Sequence, residues 1–145
     1  LPAYVTVHEF VAWDRETTIT FSRFSQSVHL TAYFHKEGIN TGPKRDEVQL
    51  PCRPLDTLTF HGRVDFLKCD TEGAELECLR GAQATIARDR PWLLVECHSN
   101  DNFSALSQLL AEWRYLFTVI RDPHYEPFSQ HWYEHCWFAC QPRET

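Results

Sequence analysis

The stretch from Val64 to Glu96, VDFLKCDTEGAELECLRGAQATIARDRPWLLVE, sets the architecture. Val64 to Cys69 (VDFLKC) is short and mostly apolar, as in a strand of a sheet covered on both faces. Leu76, Leu79, Gln83 and Ile86 then share one helical face, with Pro91 ending the helix. Trp92 to Cys97 (WLLVEC) is a second apolar strand. A strand, a helix and a strand of these lengths predict a parallel pair joined by a crossover.

Downstream, Phe103, Leu106, Leu110, Trp113 and Phe117 recur at helical spacing, and Asn100 to Asn102 offer N-caps. Tyr115 to Ile120 overlaps the end of that stripe as a strand, and Trp132 to Cys140 follows the Asp122-Pro123 turn as another. Upstream, Tyr4 to Trp13 (YVTVHEFVAW), Thr17 to Phe24, Ser27 to Phe34 and Val48 to Cys52 have strand composition. Leu55 to Leu58 predicts a helical turn, and Lys36 to Glu47 a charged surface loop. The order predicts a single α/β domain over residues 1–145, with ligands beyond the carboxyl ends of its parallel strands.

Composition narrows the function. With 43% hydrophobic and 14% aromatic residues in 145, the chain can fill a core and is not of the disordered class. A formal charge of −6 argues against nucleic acid as the main partner. No apolar run approaches the roughly 20 residues of a membrane span, and the start Leu1-Pro2-Ala3-Tyr4 has no secretory pattern. Methionine is absent, which fits a processed chain or a piece of a longer one. No two of the five glycines (38, 42, 62, 73 and 81) form a GxG turn, so no phosphate- or cofactor-cradling glycine loop is present.

Most of the six cysteines sit in apolar runs, where the thiol acts as a small buried hydrophobe. Reduced thiols in a cytoplasmic protein are expected. Cys136 and Cys140, with His131 and His135 upstream, are not expected to make a zinc site. On a strand, residues four apart lie roughly 13 Å from each other.

Chemistry is expected at two strand ends. After Cys69 come Asp70, Glu72 and Glu75, whose bland explanation is capping: Asp70 or Thr71 as N-cap, with Glu72 and Glu75 as first-turn acids. Capping explains Glu75 comfortably and Asp70 less well, because a charge at the mouth of an apolar strand needs a partner or ligand. The second strand ends in Glu96, with His98 two residues on, an acid/base pair or simply a loop-edge histidine on a carboxylate. His131, Glu134 and His135 form a third, mixed cluster that reads as an edge strand or hairpin.

The Val64 to Glu96 stretch resembles the central signature of the FkbM family of S-adenosylmethionine-dependent methyltransferases. That pattern is a strand ending K-x-D-x-E-G-x-E, a helix with L-x-G-A and a strand ending in Glu. Lys68, Asp70, Glu72, Gly73, Glu75, Leu79, Gly81, Ala82 and Glu96 match it. Pro51 to Leu58 resembles the family's V-x-T-L-D-S-L segment, and Val5 to Asp14 its third strand and the following turn. The resemblance implies an incomplete Rossmann-like class I methyltransferase sheet, from the third strand onward, with a β-hairpin insertion. The family's opening D-x-G-A-N-x-G strand and the acidic ribose-binding strand are missing. A truncated domain, inactive in isolation, is therefore expected.

The resemblance further implies methyl transfer to a hydroxyl of a sugar, lipid or secondary metabolite, that is, a small-molecule or glycan acceptor. By it, His98 is the base, Glu96 orients it, and Asp70 and Glu72 face S-adenosylmethionine or substrate. Acids after the same two strands bind magnesium in some small-molecule O-methyltransferases, and Asp70 with Glu96 could imitate that site, although no metal is assigned. The rival from another class is a non-catalytic interaction module, in which an open sheet edge drives self-association. A hydrolase is disfavoured because there is no G-x-S-x-G elbow.

Overall fold

The computed structural model describes residues 2, 4–23, 33–34, 46–71, 73–121 and 136–143. Most of the strand expected from Ser27, most of the Lys36 to Glu47 loop, Glu72, and the His131, Glu134 and His135 cluster lie outside the described residues.

The fold is mixed α/β, and its described strands form two four-stranded sheets. The first holds β1 (Val11–Ala12), β2 (Thr17–Arg23), β3 (Tyr33–Phe34) and β4 (Asp46–Arg53), in the order β1-β4-β2-β3. Its β2 runs antiparallel to both β3 and β4, while β1 is parallel to β4. The second holds β5 (Phe66–Cys69), β6 (Trp92–Cys97), β7 (Tyr115–Arg121) and β8 (Cys136–Pro142), in the order β5-β6-β8-β7.

Two expectations are corrected here. Val11–Ala12 bonds to β4 and does not join the sheet built on the Val64 to Glu96 stretch, so the expected single sheet is divided. The strand expected over Tyr4 to Trp13 is confined to Val11–Ala12. Aromatic and β-branched residues favour extended backbone, but a strand also needs a ladder. Upstream of β1 the backbone makes local contacts instead, Val5 N–H to Pro2 O at 2.9 Å and Phe10 N–H to His8 O at 3.2 Å.

The parallel pair is as expected: Phe66 to Cys69 register with Trp92 to Val95. Antiparallel β8 then lies between β6 and β7. Along β6 and β8 the buried residues face each other in register, Leu93 with Cys140, Val95 with Phe138, and Cys97 with Cys136. Period-2 alternation therefore puts one continuous apolar face into the core and leaves Leu94, Glu96 and Trp137 on the other face. Phe138 centres the core, its ring 5.1 Å from those of Phe103 and Phe117. All six cysteines are free and buried. Cys136 and Cys140 are buried in the core cluster on this apolar face.

The crossover is two helices, not one: α1 (Glu75–Arg80) and α2 (Gln83–Asp89). The cause lies far away in sequence. A Cβ on Gly81 would fall 1.9 Å from the carbonyl oxygen of Trp13, so the chain approaches closer than any side chain permits. Gly81 O accepts from Asp56 N–H at 2.9 Å, and the Asp56 carboxylate accepts from Ala84 N–H (2.7 Å) and Thr85 N–H (2.9 Å). A side chain from the Leu55–Thr57 helical turn thus caps α2 in place of a local residue.

The third helix, α3 (Asn100–Glu112), is capped by Ser99, whose Oγ accepts from Asn102 N–H at 3.1 Å, one residue before the expected caps. Arg90, with φ 52°, donates to Trp113 O and Arg114 O at 2.7 and 2.9 Å, satisfying carbonyls at the helix's far end. Among the described residues, no helix is long and apolar enough to cross a membrane.

Candidate functional site

Strands β5 and β6 are adjacent and parallel, so whatever follows them converges at one end of the sheet. Asp70 directly follows β5, Glu96 is the penultimate residue of β6, and His98 directly follows it. His98 Nε2 lies 3.7 Å from Glu96 Oε1 and 3.9 Å from Asp70 Oδ1. The sequence-derived cluster is therefore assembled in space. Glu72, the fourth expected member, lies outside the described residues.

The centre of the arrangement is Glu75, which the sequence suggested was a first-turn charge. Its side chain is fully buried. Oε1 accepts from Gly73 N–H at 2.9 Å and from Thr71 N–H at 3.3 Å, with Thr71 Oγ at 3.4 Å. The same oxygen lies 2.9 Å from His98 Nδ1, and Oε2 accepts from Asn102 Nδ2 at 3.0 Å. Neither Asp70 nor Thr71 is the N-cap of α1; that position is Ala74, with no side-chain cap. The β5–α1 turn can fold back on the carboxylate because Gly73 adopts φ +109°, which a side chain would strain.

The structure adds a partner to the expected pairing. Glu75 Oε1 accepts a hydrogen bond from His98 Nδ1, while Glu96 faces the opposite ring nitrogen at a longer distance. Local sequence could not show this, because Glu75 reaches His98 across 23 residues and Asn102 across 27. Asn102, 4% exposed, also donates to Gly73 O at 3.2 Å. It had the same sequence signature as the surface caps beside it.

Burial works to raise the Glu75 pKa, but the bonds from His98 and Gly73 outweigh it and hold the carboxyl below its ordinary value. For Asp70, too, partial burial is outweighed, here by hydrogen bonds with Lys68 and Glu96 and by the Lys68 charge, so its pKa is lowered. Lys68 Nζ sits 3.0 Å from Asp70 Oδ2 and 5.1 Å from the centre of the Trp137 ring.

An ionised Glu75 can only accept, so the neutral imidazole carries its proton on Nδ1 and presents the Nε2 lone pair to Asp70 and Glu96. Such a group can take a proton from a ligand hydroxyl at Nε2. One ligand atom each from Asp70, Glu96 and His98 lie within 4.8 Å of one another, so the set can also hold a cation.

No curated protein matches the sequence. A structural comparison finds methyltransferase FkbM from Methylobacillus flagellatus KT, 23% identical, with a TM-score of 0.49. That match covers 63% of this chain and 23% of the other, so this chain spans about a quarter of its length. The model of the methyltransferase FkbM domain matches residues 3–121, from ahead of β1 to the last residue of β7. Matched over most of its length, the chain belongs to the FkbM methyltransferase domain family.

Proposed function

We propose that this chain forms the acceptor side of an S-adenosylmethionine-dependent methyltransferase acting on a hydroxyl of a small molecule or glycan. The observation that carries the reading is the orientation of His98. Its Nδ1 is held by buried Glu75, and its Nε2 faces two carboxylates at the ends of adjacent parallel strands. Family membership supplies the reaction class.

The donor set fits one part of that cofactor. Carboxylates suit its cationic methionine end, and Asp70 is the residue proposed to face it. The nucleoside end calls for a glycine turn that these 145 residues do not contain. When bound, the cofactor supplies a methyl group on a sulfonium leaving group. The chain's own residues then do three things. Glu96 and Asp70 would bound the space in front of Nε2, Nε2 would receive the acceptor's hydroxyl proton, and Glu75 would hold the ring still. A stabilised orientation of this kind is the usual source of general-base advantage.

The test is single-turnover methyl transfer by the protein that carries this sequence. His98→Ala and Glu96→Gln should lower turnover by about 10²–10⁴ with little change in cofactor affinity. Asp70→Asn should weaken both. A His98→Ala protein within about threefold of wild type would remove His98 from the chemistry.

A further inference from the structure

Glu75 bonds to the Nδ1 side of His98, away from the Nε2 side that faces Asp70 and Glu96. Five contacts from three segments meet on its carboxylate: Thr71 (two) and Gly73 in the β5–α1 turn, His98 after β6, and Asn102 in α3. A buried carboxylate is costly to desolvate, and a core position could be filled by an apolar residue at no such cost. The hydrogen bonds from Thr71, Gly73 and Asn102 offset that cost. They do not explain why a charge is there, since a neutral acceptor would satisfy the same amides. The contact to His98 does, because only a charged acceptor both selects a tautomer and stabilises the imidazolium that forms when Nε2 takes a proton.

We infer that Glu75 is the positioning residue of the site, holding His98 in the Nδ1–H form so that Nε2 is bare and faces Asp70 and Glu96. The inference rests on the reading of His98 as the acceptor-side base. It deepens that reading by giving Glu75 the choice of tautomer, and the residue acts through the histidine without touching the reactants. Among the described residues, the groups facing the imidazole include Glu75 from α1, Asp70 from the end of β5 with Lys68 paired to it, and Glu96 from β6. Among the described residues, Glu75 is the partner 2.9 Å from Nδ1. Asp70 and Glu96 both lie on the Nε2 side, so exchanging either for its amide leaves the tautomer in place.

Long-range 1H–15N correlation on isotope-labelled protein reads the tautomer directly, with no substitution required. The expected result is a His98 protonated on Nδ1 and without a proton on Nε2, the tautomer that a free histidine side chain disfavours. A neutral His98 protonated on Nε2 would overturn the inference. In Glu75→Gln, loss of the anion should lower the protonation constant of His98 about tenfold or more. A change of less than about twofold would equally overturn it. The two readings fail separately. Normal turnover by His98→Ala removes the base whatever the tautomer, whereas the wrong tautomer beside an inactive His98→Ala removes Glu75 alone.

Discussion

Asp56 and Thr85 are 29 residues apart in sequence, and the carboxylate of the first caps the helix that contains the second, with Oδ1 2.9 Å from the Thr85 amide. The other oxygen, 2.7 Å from the amide of Ala84, completes the cap. The contact ties the Leu55–Thr57 turn to α2, and thereby the segment after β4 to the crossover of the second sheet. Removing it should cost what losing a helix cap costs, about 1–2 kcal/mol. Urea unfolding of Asp56→Ala would measure this. Asp56→Asn should recover part of the loss, since an amide keeps one acceptor. An unchanged midpoint in Asp56→Ala would mean that water replaces the cap at no cost.

Gly81 should tolerate no side chain. Its backbone is ordinary helical, with φ −69°, so the objection is space. An added Cβ meets Trp13 O at 1.9 Å, Trp13 C at 2.9 Å and Pro54 Cα at 3.2 Å, all of them backbone atoms that cannot rotate away. Gly81→Ala is expected to lose about 3 kcal/mol, the upper end of typical overpacking costs. Thermal melting reads the loss directly, and a variant as stable as wild type would mean that the turn can move away from Trp13 freely.

Acid should weaken the fold through Asp89. Hydrogen bonds from Arg88 and from the amide of Val64 hold its pKa down at about 2, below its usual 3.8. A carboxyl depressed in the folded state contributes stability that is fully present above its unfolded pKa and lost as pH falls through the folded one. The contribution should therefore fade between about pH 4 and pH 2. Melting temperatures across that window should fall more steeply in wild type than in Asp89→Asn, which has no proton to gain. Parallel curves would show that the Val64 and Arg88 contacts do not depend on the charge.

The thiols should be inert until the protein unfolds. All six are buried, and burial pushes the Cys140 thiol up to about 12, far from the thiolate that reacts. Alkylation of the native protein should proceed only at the rate of opening, and denaturation without reductant should release six reactive thiols. Rapid native labelling of Cys140 would contradict its place beside Leu93 in the core.

The strands of the second sheet and α3 were legible from local pattern. Val64 to Cys69 and Trp92 to Cys97 were expected nearly as observed, because alternation and length are properties of neighbouring residues. The same logic placed Asp70, Glu96 and His98 together: two parallel strands must end at one edge, so residues following them must meet. What the chain could not announce locally were the events that depend on distant contacts. The helix expected from Leu76 to Ile86 is broken at Gly81 by the carbonyl of Trp13, and Asp56 caps the second half from another element. Val11–Ala12 has strand composition, but its sheet was decided by β4 offering the free ladder. Glu75 carries the same lesson at the site. At the start of α1 it looks like any helix-dipole acid, and only folding brings His98 and Asn102 onto its two oxygens. Sequence determines which groups exist and which face each segment presents. Which nitrogen of His98 keeps its proton is decided by a carboxylate buried 23 residues away, because a hydrogen bond depends on separation in space.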